Sequence, residues 1–305
     1  MIRNKAEISV VLIAGPTASG KSALALEIAG ELGGVVINAD SMQVYRGLEI
    51  LGAQPTGADR MALPHLLYGH VDPAVDYSVG AWMRDVEPVL ASLSAQKRPA
   101  VIVGGTGLYF RALLGGIDAM PEVPAEIRDA LRRRMAEEGP ERLHGELAQI
   151  DPAAAARIRP TDPQRIVRAL ELNAATGLPL DAIQTGRGTP LIHAEEALKI
   201  VLRPPRDVLR ERIARRFDAM MMAGALAEAA RFRSGEFVAG GTAAKAIGLS
   251  ELVEHLDGHI ALDQAIERAV TRSRQYAKRQ DTWFRHQLDA SWLEPSHDGF
   301  PFRAS

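Results

Sequence analysis

Four short apolar runs interrupt an otherwise helical pattern: Ile8–Ala14, Val35–Ile37, Ala100–Val103 and Leu198–Leu202. None alternates apolar with polar positions, so each predicts a strand covered on both faces, as in a parallel sheet. After the first run, Leu24, Ile28 and Leu32 recur on one helical face beginning at Ser22, and Gly33-Gly34 supplies the stop. A second helix is predicted from Val79 to about Ala95. Strands alternating with helices imply an α/β fold, a parallel β-sheet flanked by helices. From Pro121 to about Arg187 the β signal fades, and Glu126–Glu138, Pro140–Ile150 and Pro163–Thr176 read as helices punctuated by prolines. An apolar strand resumes at Leu198. The expected organisation is therefore a core formed by 1–120 and 196–305, with a helical insertion domain at 121–195. The stretch from about Arg206 to His286 is again mainly helical, and the tail after Glu294 is expected to be loosely held.

Composition narrows the class. The chain has 305 residues, of which 47% are hydrophobic and 24% charged, which suits a folded protein with a full core. Its apolar runs are far short of the roughly 20 residues that span a bilayer, and the N-terminus has no leader pattern. The expectation is a cytoplasmic, monomeric protein without membrane contact. There is no cysteine, hence no disulfide, thiolate nucleophile or cysteine zinc site. His65, His70 and His144 are scattered and read as structural or surface residues, and Met220-Met221-Met222 as a helix packing surface.

The net charge of −2 conceals two basic concentrations, +5 over residues 268–286 and +4 over 203–216. Local charge is what a polyanion meets, although solvated helix faces would give the same count. On a helix through 268–286, Arg272, Tyr276, Arg279 and Trp283 share one stripe, Arg274, Lys278 and Arg285 lie nearly opposite, and Val270, Ala277 and Phe284 form an apolar strip between them. The strip is expected to pack on the core while basic groups, Lys278 and Arg279 among them, meet nucleic-acid phosphates. Trp283 in the core, with arginine stems lying over it, is the alternative.

Gly15-Pro16-Thr17-Ala18-Ser19-Gly20-Lys21-Ser22 fits G-x-x-x-x-G-K-[ST], with an apolar strand before it and an amphipathic helix after it. Backbone N–H groups and the helix N-terminus of such a loop close around phosphate oxygens. Lys21 supplies an ammonium, and the Ser22 hydroxyl can ligate Mg²⁺. A di- or triphosphate is the expected ligand. The strand at Val101-Ile102-Val103 runs into Gly104-Gly105-Thr106-Gly107 without a carboxylate, whereas Asp40 directly follows the strand Val35–Ile37 and Asn38-Ala39. Ligands of open α/β sheets bind beyond the carboxyl ends of strands. Asp40 thus faces the phosphate loop, as a general base or as a capping or Mg²⁺-orienting group.

These motifs together resemble the bacterial tRNA dimethylallyltransferases. The resemblance is carried by residues 15–22, by Asn38-Ala39-Asp40-Ser41-Met42-Gln43-Val44-Tyr45-Arg46-Gly47, by Val103–Tyr109, by Asp162-Pro163-Gln164-Arg165-Ile166-Val167-Arg168-Ala169-Leu170-Glu171, and by Tyr276-Ala277-Lys278-Arg279-Gln280 with Trp283-Phe284. It implies a P-loop NTPase-like core with a helical insertion that clasps the anticodon arm. It further implies transfer of a dimethylallyl group from dimethylallyl diphosphate to N6 of the adenosine 3′ of the anticodon, in tRNAs reading codons that begin with U. On the same resemblance Asp40 is the base. Asp40, Ser41, Met42 and Gln43, with Gln164, Arg165, Ile166, Val167 and Arg168, meet the target base, and Thr106 and Arg128 contact tRNA. Asp40, Lys21 and Thr17 form the expected catalytic set, and Arg216 is a further diphosphate ligand unless it faces solvent.

The chain departs from the family pattern in three places. Ile50-Leu51-Gly52-Ala53-Gln54-Pro55 stands where Ile-Gly-Thr-Ala-Lys-Pro is usual, Leu249 stands where tyrosine is common, and Asp281 puts a negative charge in the basic helix. Three rival functions share some of these features: an ATP-dependent kinase, a prenyltransferase acting on free adenine nucleotide, and an RNA-binding scaffold with a vestigial phosphate loop. The large insertion and basic terminal helix favour a macromolecular acceptor, and intact Lys21, Ser22 and Asp40 favour catalysis.

Overall fold

The apolar runs pair with one another because none can satisfy its backbone alone. In the computed structural model, which describes residues 8–118, 120–186 and 188–295, five strands form one parallel sheet in the order β3-β2-β4-β1-β5. The strands are β1 (Val10–Ala14), β2 (Val35–Asn38), β3 (His65–Leu66), β4 (Ala100–Gly104) and β5 (Ala197–Val201). Every residue of β2 and β4 is buried, which accounts for the missing alternation. The edge strand β3 has only two residues, too few to leave a periodic signature.

Helices α1 (Lys21–Leu32), α2 (Gly57–Ala62), α3 (Val79–Ala95) and α4 (Gly107–Gly115) connect the first four strands and lead out of β4. Helices α5 (Ala125–Glu138), α6 (Pro140–Ile150), α7 (Pro152–Arg157), α8 (Pro163–Thr176) and α9 (Leu180–Ile183) follow, then β5 and the helices α10 (Arg206–Ala223), α11 (Ala225–Arg233), α12 (Leu249–Leu256) and α13 (Leu262–Gln287).

The chain divides into two compact units, 1–114 with 191–305, and 115–190. These bounds lie a few residues before those read from the proline-rich composition, because the returning chain rejoins the first unit ahead of β5. There the N–H groups of Leu191 and Ile192 both donate to the Leu113 carbonyl. The 115–190 unit has its own apolar core, including Leu131, Leu143, Leu147, Ile158, Ile166 and Leu170. Asp151 closes it at two points by accepting from Ala154 N and Leu180 N. His144 Nε2 lies 3.0 and 2.9 Å from the carbonyls of Ala155 and Ile158, a structural role.

In the larger unit, α1 packs on the sheet through Leu24, Ile28 and Ala29. The C-terminal helices gather around Phe217, Leu249, Leu252, Ala269 and Ala277. Parallel register sets Ala14 beside Gly104 and Asn38 beside Val103, so β1, β4 and β2 end side by side. Gly104 permits this: a Cβ there would lie 1.9 Å from the Ala39 carbonyl oxygen. Trp82 of α3, fully buried, stacks on Tyr109 with ring centroids 4.3 Å apart and donates its indole N–H to Asn38 O at 2.9 Å.

That bond ties α3 to the end of β2, and its removal should register in stability. Trp82→Phe keeps an aromatic ring over Tyr109 but strips the donor from a buried carbonyl, a loss of about 1–3 kcal/mol. Urea unfolding should show a lower midpoint with an unchanged slope; an unmoved midpoint would refute the tether.

Candidate active site

Because the strands end together, three turns meet at the carboxyl edge of the sheet: Gly15–Gly20 after β1, Ala39–Met42 after β2, and Gly105-Thr106 after β4. The first winds tightly. Ser19 N donates to Pro16 O at 3.2 Å, Ala18 and Gly20 adopt positive φ of 62° and 96°, and a Cβ on Gly15 would lie 2.7 Å from Ser19 Oγ. Ser19 Oγ is itself buried without a hydrogen-bond partner. Lys21 opens α1, is only 8% exposed, and donates to Pro16 O at 3.2 Å, which lays its ammonium over the loop. Burial lowers its pKa to about 8, the Asp40 carboxylate partly opposing and the Arg216 guanidinium adding to the shift.

Asp40 is held from several sides. Asn38, fully buried, accepts from Asp40 N through Oδ1 at 2.8 Å and donates to the carbonyls of Asp40 and Leu67. Thr106 Oγ1 accepts from Ser41 N at 2.9 Å and lies 3.3 Å from Ser41 Oγ. Asp40 Oδ1 accepts from Met42 N at 3.0 Å, while Oδ2 approaches the bare face of Gly105 and takes no hydrogen bond among the described residues. One oxygen therefore caps the turn and the other remains unengaged among the described residues.

From α10, Arg216 Nη1 reaches Thr17 Oγ1 at 3.4 Å and Arg212 Nη1 reaches Ser19 O at 3.3 Å. Arg216 is half-buried and lines the site, and burial lowers its pKa against the pull of Asp40. Arg212 is a member that the charge count alone does not single out, although its i, i+4 relation to Arg216 places both on one face. Gln280, 6% exposed on α13, accepts from Thr17 N at 2.8 Å and donates to Gly105 O at 2.9 Å.

Of these groups, Thr17, Lys21, Asp40 and Arg216 line a cavity open to solvent. Its polar lining is Thr17, Lys21, Ser22, Asp40 and Arg216; its apolar lining, Met42, Leu51, Ile213, Phe217, Met220 and Ile247, belongs to one hydrophobic cluster. Tyr276 of α13 also lines it. Burial raises the phenol pKa of Tyr68, Tyr109 and Tyr276, with the Asp40 carboxylate as the second cause in each. Asp40 thus sits within electrostatic reach of three phenols that stay neutral.

Other expected contacts fall elsewhere or serve the scaffold. Gln43 lines the cavity, but its amide donates to the carbonyls of Gly52 and Ala53. Arg128, Gln164, Arg165, Ile166, Val167 and Arg168 all belong to the 115–190 unit. There Ile166 is corrected: its side chain is fully buried in that unit's core, as the helical period of α8 requires, and cannot meet a base. Val167 packs half-buried against the same core. Gln164 and Arg165 are exposed at the start of α8, Arg168 pairs with Glu171 at 3.2 Å, and Arg128 donates to Val123 O.

On α13 the apolar strip is buried as expected, and Lys278 and Arg279 are exposed, Arg279 lying over the Tyr276 ring at 5.7 Å. The aromatic-basic stripe needs two corrections. Arg272 is taken by buried Glu251 and Ser250, and Trp283 lies across Gly107, where a Cβ would come within 2.1 Å of its ring. Asp281 pairs with Arg285 at 3.1 Å within the helix. Among the described residues no cluster of three His, Cys, Asp or Glu could cage a metal, and no helix is long and apolar enough to cross a membrane.

The IPP transferase family model matches residues 43–287, and the isopentenyl transferase model matches residues 8–63. The chain is 51% identical over 286 residues to the tRNA dimethylallyltransferase of Sinorhizobium medicae, covering 94% of both chains. It is 50% identical over 293 residues to that of Rhizobium meliloti, covering 96% and 97%. Among solved structures it resembles the full-length tRNA isopentenylpyrophosphate transferase of Bacillus halodurans, with a TM-score of 0.65, 35% identity and coverage of 94% and 89%. It also resembles a eukaryotic dimethylallyltransferase acting on tRNA, with a TM-score of 0.76, 28% identity and coverage of 91% and 70%. A phosphate loop, a facing carboxylate and an adjoining apolar wall, carried on a P-loop NTPase-like sheet and matched along nearly the whole chain, place this protein in the IPP transferase family, alongside the tRNA dimethylallyltransferases.

Proposed function

We propose that the protein transfers a dimethylallyl group from dimethylallyl diphosphate to N6 of the adenosine 3′ of the anticodon in tRNAs reading codons that begin with U, releasing diphosphate. The observation that carries this reading is the lining of the cavity: two cations, buried Lys21 and half-buried Arg216, beside an apolar wall drawn from one hydrophobic cluster suit a small molecule with an anionic head and a short hydrocarbon tail. A nucleotide kinase would need room and polar partners for a nucleoside where Leu51, Phe217 and Met220 stand.

The adenine amine is a weak nucleophile because its lone pair is shared with the ring. As N6 bonds to the allylic carbon, the carbon–oxygen bond to diphosphate breaks and positive charge spreads over the allyl group. Lys21, Arg216, the Thr17 hydroxyl and backbone N–H groups of the loop neutralise the departing diphosphate. A single preorganised donor of this kind contributes on the order of 3 kcal/mol. The Oδ2 atom of Asp40 receives the amine proton, a step that contributes about 10²–10⁴-fold. With several such donors acting together, the grip on the leaving group lowers the barrier more than the proton transfer does.

The donor set also suits Mg²⁺, a hard cation usually held by few protein oxygens together with phosphate and water. Ser22, an exposed residue that lines the cavity next to Lys21, would hold the ion. When bound, Mg²⁺ neutralises charge on the leaving diphosphate.

Lys278 and Arg279, together with exposed Arg274, give α13 a cationic surface for RNA phosphates. Arg128, Gln164, Arg165 and Arg168 supply further RNA contacts from the 115–190 unit. The protein acts in this reading as a cytoplasmic monomer.

Incubating the protein with Mg²⁺, labelled dimethylallyl diphosphate and undermodified tRNA, with ATP in a parallel reaction, tests the whole proposal. Prenylated adenosine in the RNA supports it; label on free nucleotide, or phosphoryl transfer from ATP, overturns it. Asp40→Asn, which can still accept from Met42 N, should lower turnover by about 10²–10⁴-fold while leaving donor affinity nearly intact; turnover near the wild-type value would remove Asp40 as base. For Lys21 the charged form prevails below its pKa of about 8 in the free site and is lost above it. The donor kcat/KM should therefore fall as pH rises through about 8, and kcat should hold to higher pH because bound diphosphate favours the ammonium. A flat kcat/KM from pH 7 to 10 would contradict this. Replacing Lys278 and Arg279 together by alanine should weaken tRNA binding and flatten its salt dependence by about one to two phosphate contacts, and an unchanged slope would exclude them from the RNA surface.

A further inference from the structure

The carboxamide of Gln280 has no assigned part in the reaction, yet it joins the two loops on which the reaction depends. Its Oε1 accepts from Thr17 N at 2.8 Å, inside the phosphate loop, and its Nε2 donates to Gly105 O at 2.9 Å, at the end of β4. From Gly105 the connection continues through Thr106. Thr106 N donates to Ala39 O at 3.2 Å and Oγ1 receives Ser41 N at 2.9 Å, so the residues on either side of Asp40 are both bonded to the threonine.

Gly105 has room for no side chain: a Cβ would lie 2.2 Å from Gln280 Nε2 and 3.1 Å from Asp40 Oδ2. The carboxamide and the carboxylate therefore press on one face of the same glycine. Gln280 is 6% exposed although its neighbours Lys278 and Arg279 are exposed. A buried amide with both ends satisfied is rigid, because breaking either bond strands a buried partner.

We propose that Gln280 is a positioning residue that fixes the separation between the leaving-group cradle and the Asp40 carboxylate. It also makes α13, which carries Lys278 and Arg279, part of the same rigid frame. The inference rests on the prenyl-transfer reading of the site. In-line displacement is sensitive to such spacing, since a misplacement near 1 Å lowers rate on the order of 10²-fold. A glutamine placed only to pack α13 would influence stability and no kinetic constant selectively.

Single-turnover prenylation of tRNA with saturating dimethylallyl diphosphate separates these roles. Gln280→Ala should lower the rate of the chemical step on the order of 10²-fold, with donor and tRNA affinities close to wild type. Gln280→Glu supplies a readout independent of folding losses. Its protonated carboxyl reproduces both bonds, an acceptor for Thr17 N and a donor for Gly105 O, whereas its carboxylate cannot donate and repels the leaving group. The ratio of Gln280→Glu to wild-type rate, measured at matched pH, should therefore rise as pH falls. A rate for Gln280→Ala within about twofold of wild type, or a pH-independent ratio for Gln280→Glu, overturns the proposal. Failure of the wild-type protein to prenylate tRNA would instead overturn the functional reading, which keeps the two separable.

Discussion

Two cations, buried Lys21 and half-buried Arg216, stand in this protein beside a single carboxylate. Lys21 and Arg216 both line the cavity, Asp40 is the only acid lining it among the described residues, and burial depresses the basicity of both cations. Removing charges from water costs several kcal/mol per ion unless opposite charge repays it. The charged lining of the pocket thus carries a positive excess, which suits an anion. That constraint explains the strand-end geometry and the backbone donors of the loop, and it explains why the apolar wall begins so close to the charged groups.

The carboxylate is as dependent on scaffold as the cations are on charge. Asn38 bonds the backbone of Asp40 on both sides, Trp82 anchors Asn38, and Thr106 holds Ser41. The residues that meet substrate in the proposed reaction are few. A larger set, drawn from α3, α4 and the ends of β2 and β4, keeps them in register.

How much of this is readable before the fold depends on sequence distance. The phosphate loop is contiguous, and its strand and helix flank it directly, so Lys21 and Ser22 are legible from composition and spacing alone. The four longer strands are legible because both faces are covered, so that even their polar members, Asn38 and Lys199, are buried and leave no alternation. Gln280 falls within the motif that ends at that residue, but its contacts are not legible, since its partner Thr17 lies 263 residues away. Ile166 misleads for the opposite reason: it sits within a motif associated with RNA, but the helical period turns it into the core. The cavity wall is likewise assembled from the 42–51 loop, α10 and the turn before α12, segments whose apolar residues look like ordinary core positions.

The departures from the family pattern are absorbed locally. Gly52 stands where threonine is usual, and here a Cβ would lie 2.4 Å from Leu48 O, so this loop is wound more tightly than a side chain allows. Gln54 is buried, donates to Tyr45 O at 2.7 Å and accepts from Arg60 at 3.2 Å, which brings a guanidinium to the neighbourhood where the family carries an ammonium. Leu249 is buried among Phe217 and Leu252 in the helical core.

The return of the chain to one carbonyl has a different kind of consequence. Leu191 and Ile192 both bond Leu113 O, and Gly116 lies so near Gly188 that a Cβ would come within 2.2 Å of its carbonyl carbon. The excursion between them leaves and re-enters at a single place, so no strand of the sheet has to be re-threaded when its length changes. Evolution can lengthen, trim or exchange that branch freely, and the catalytic sheet inherits none of the alteration.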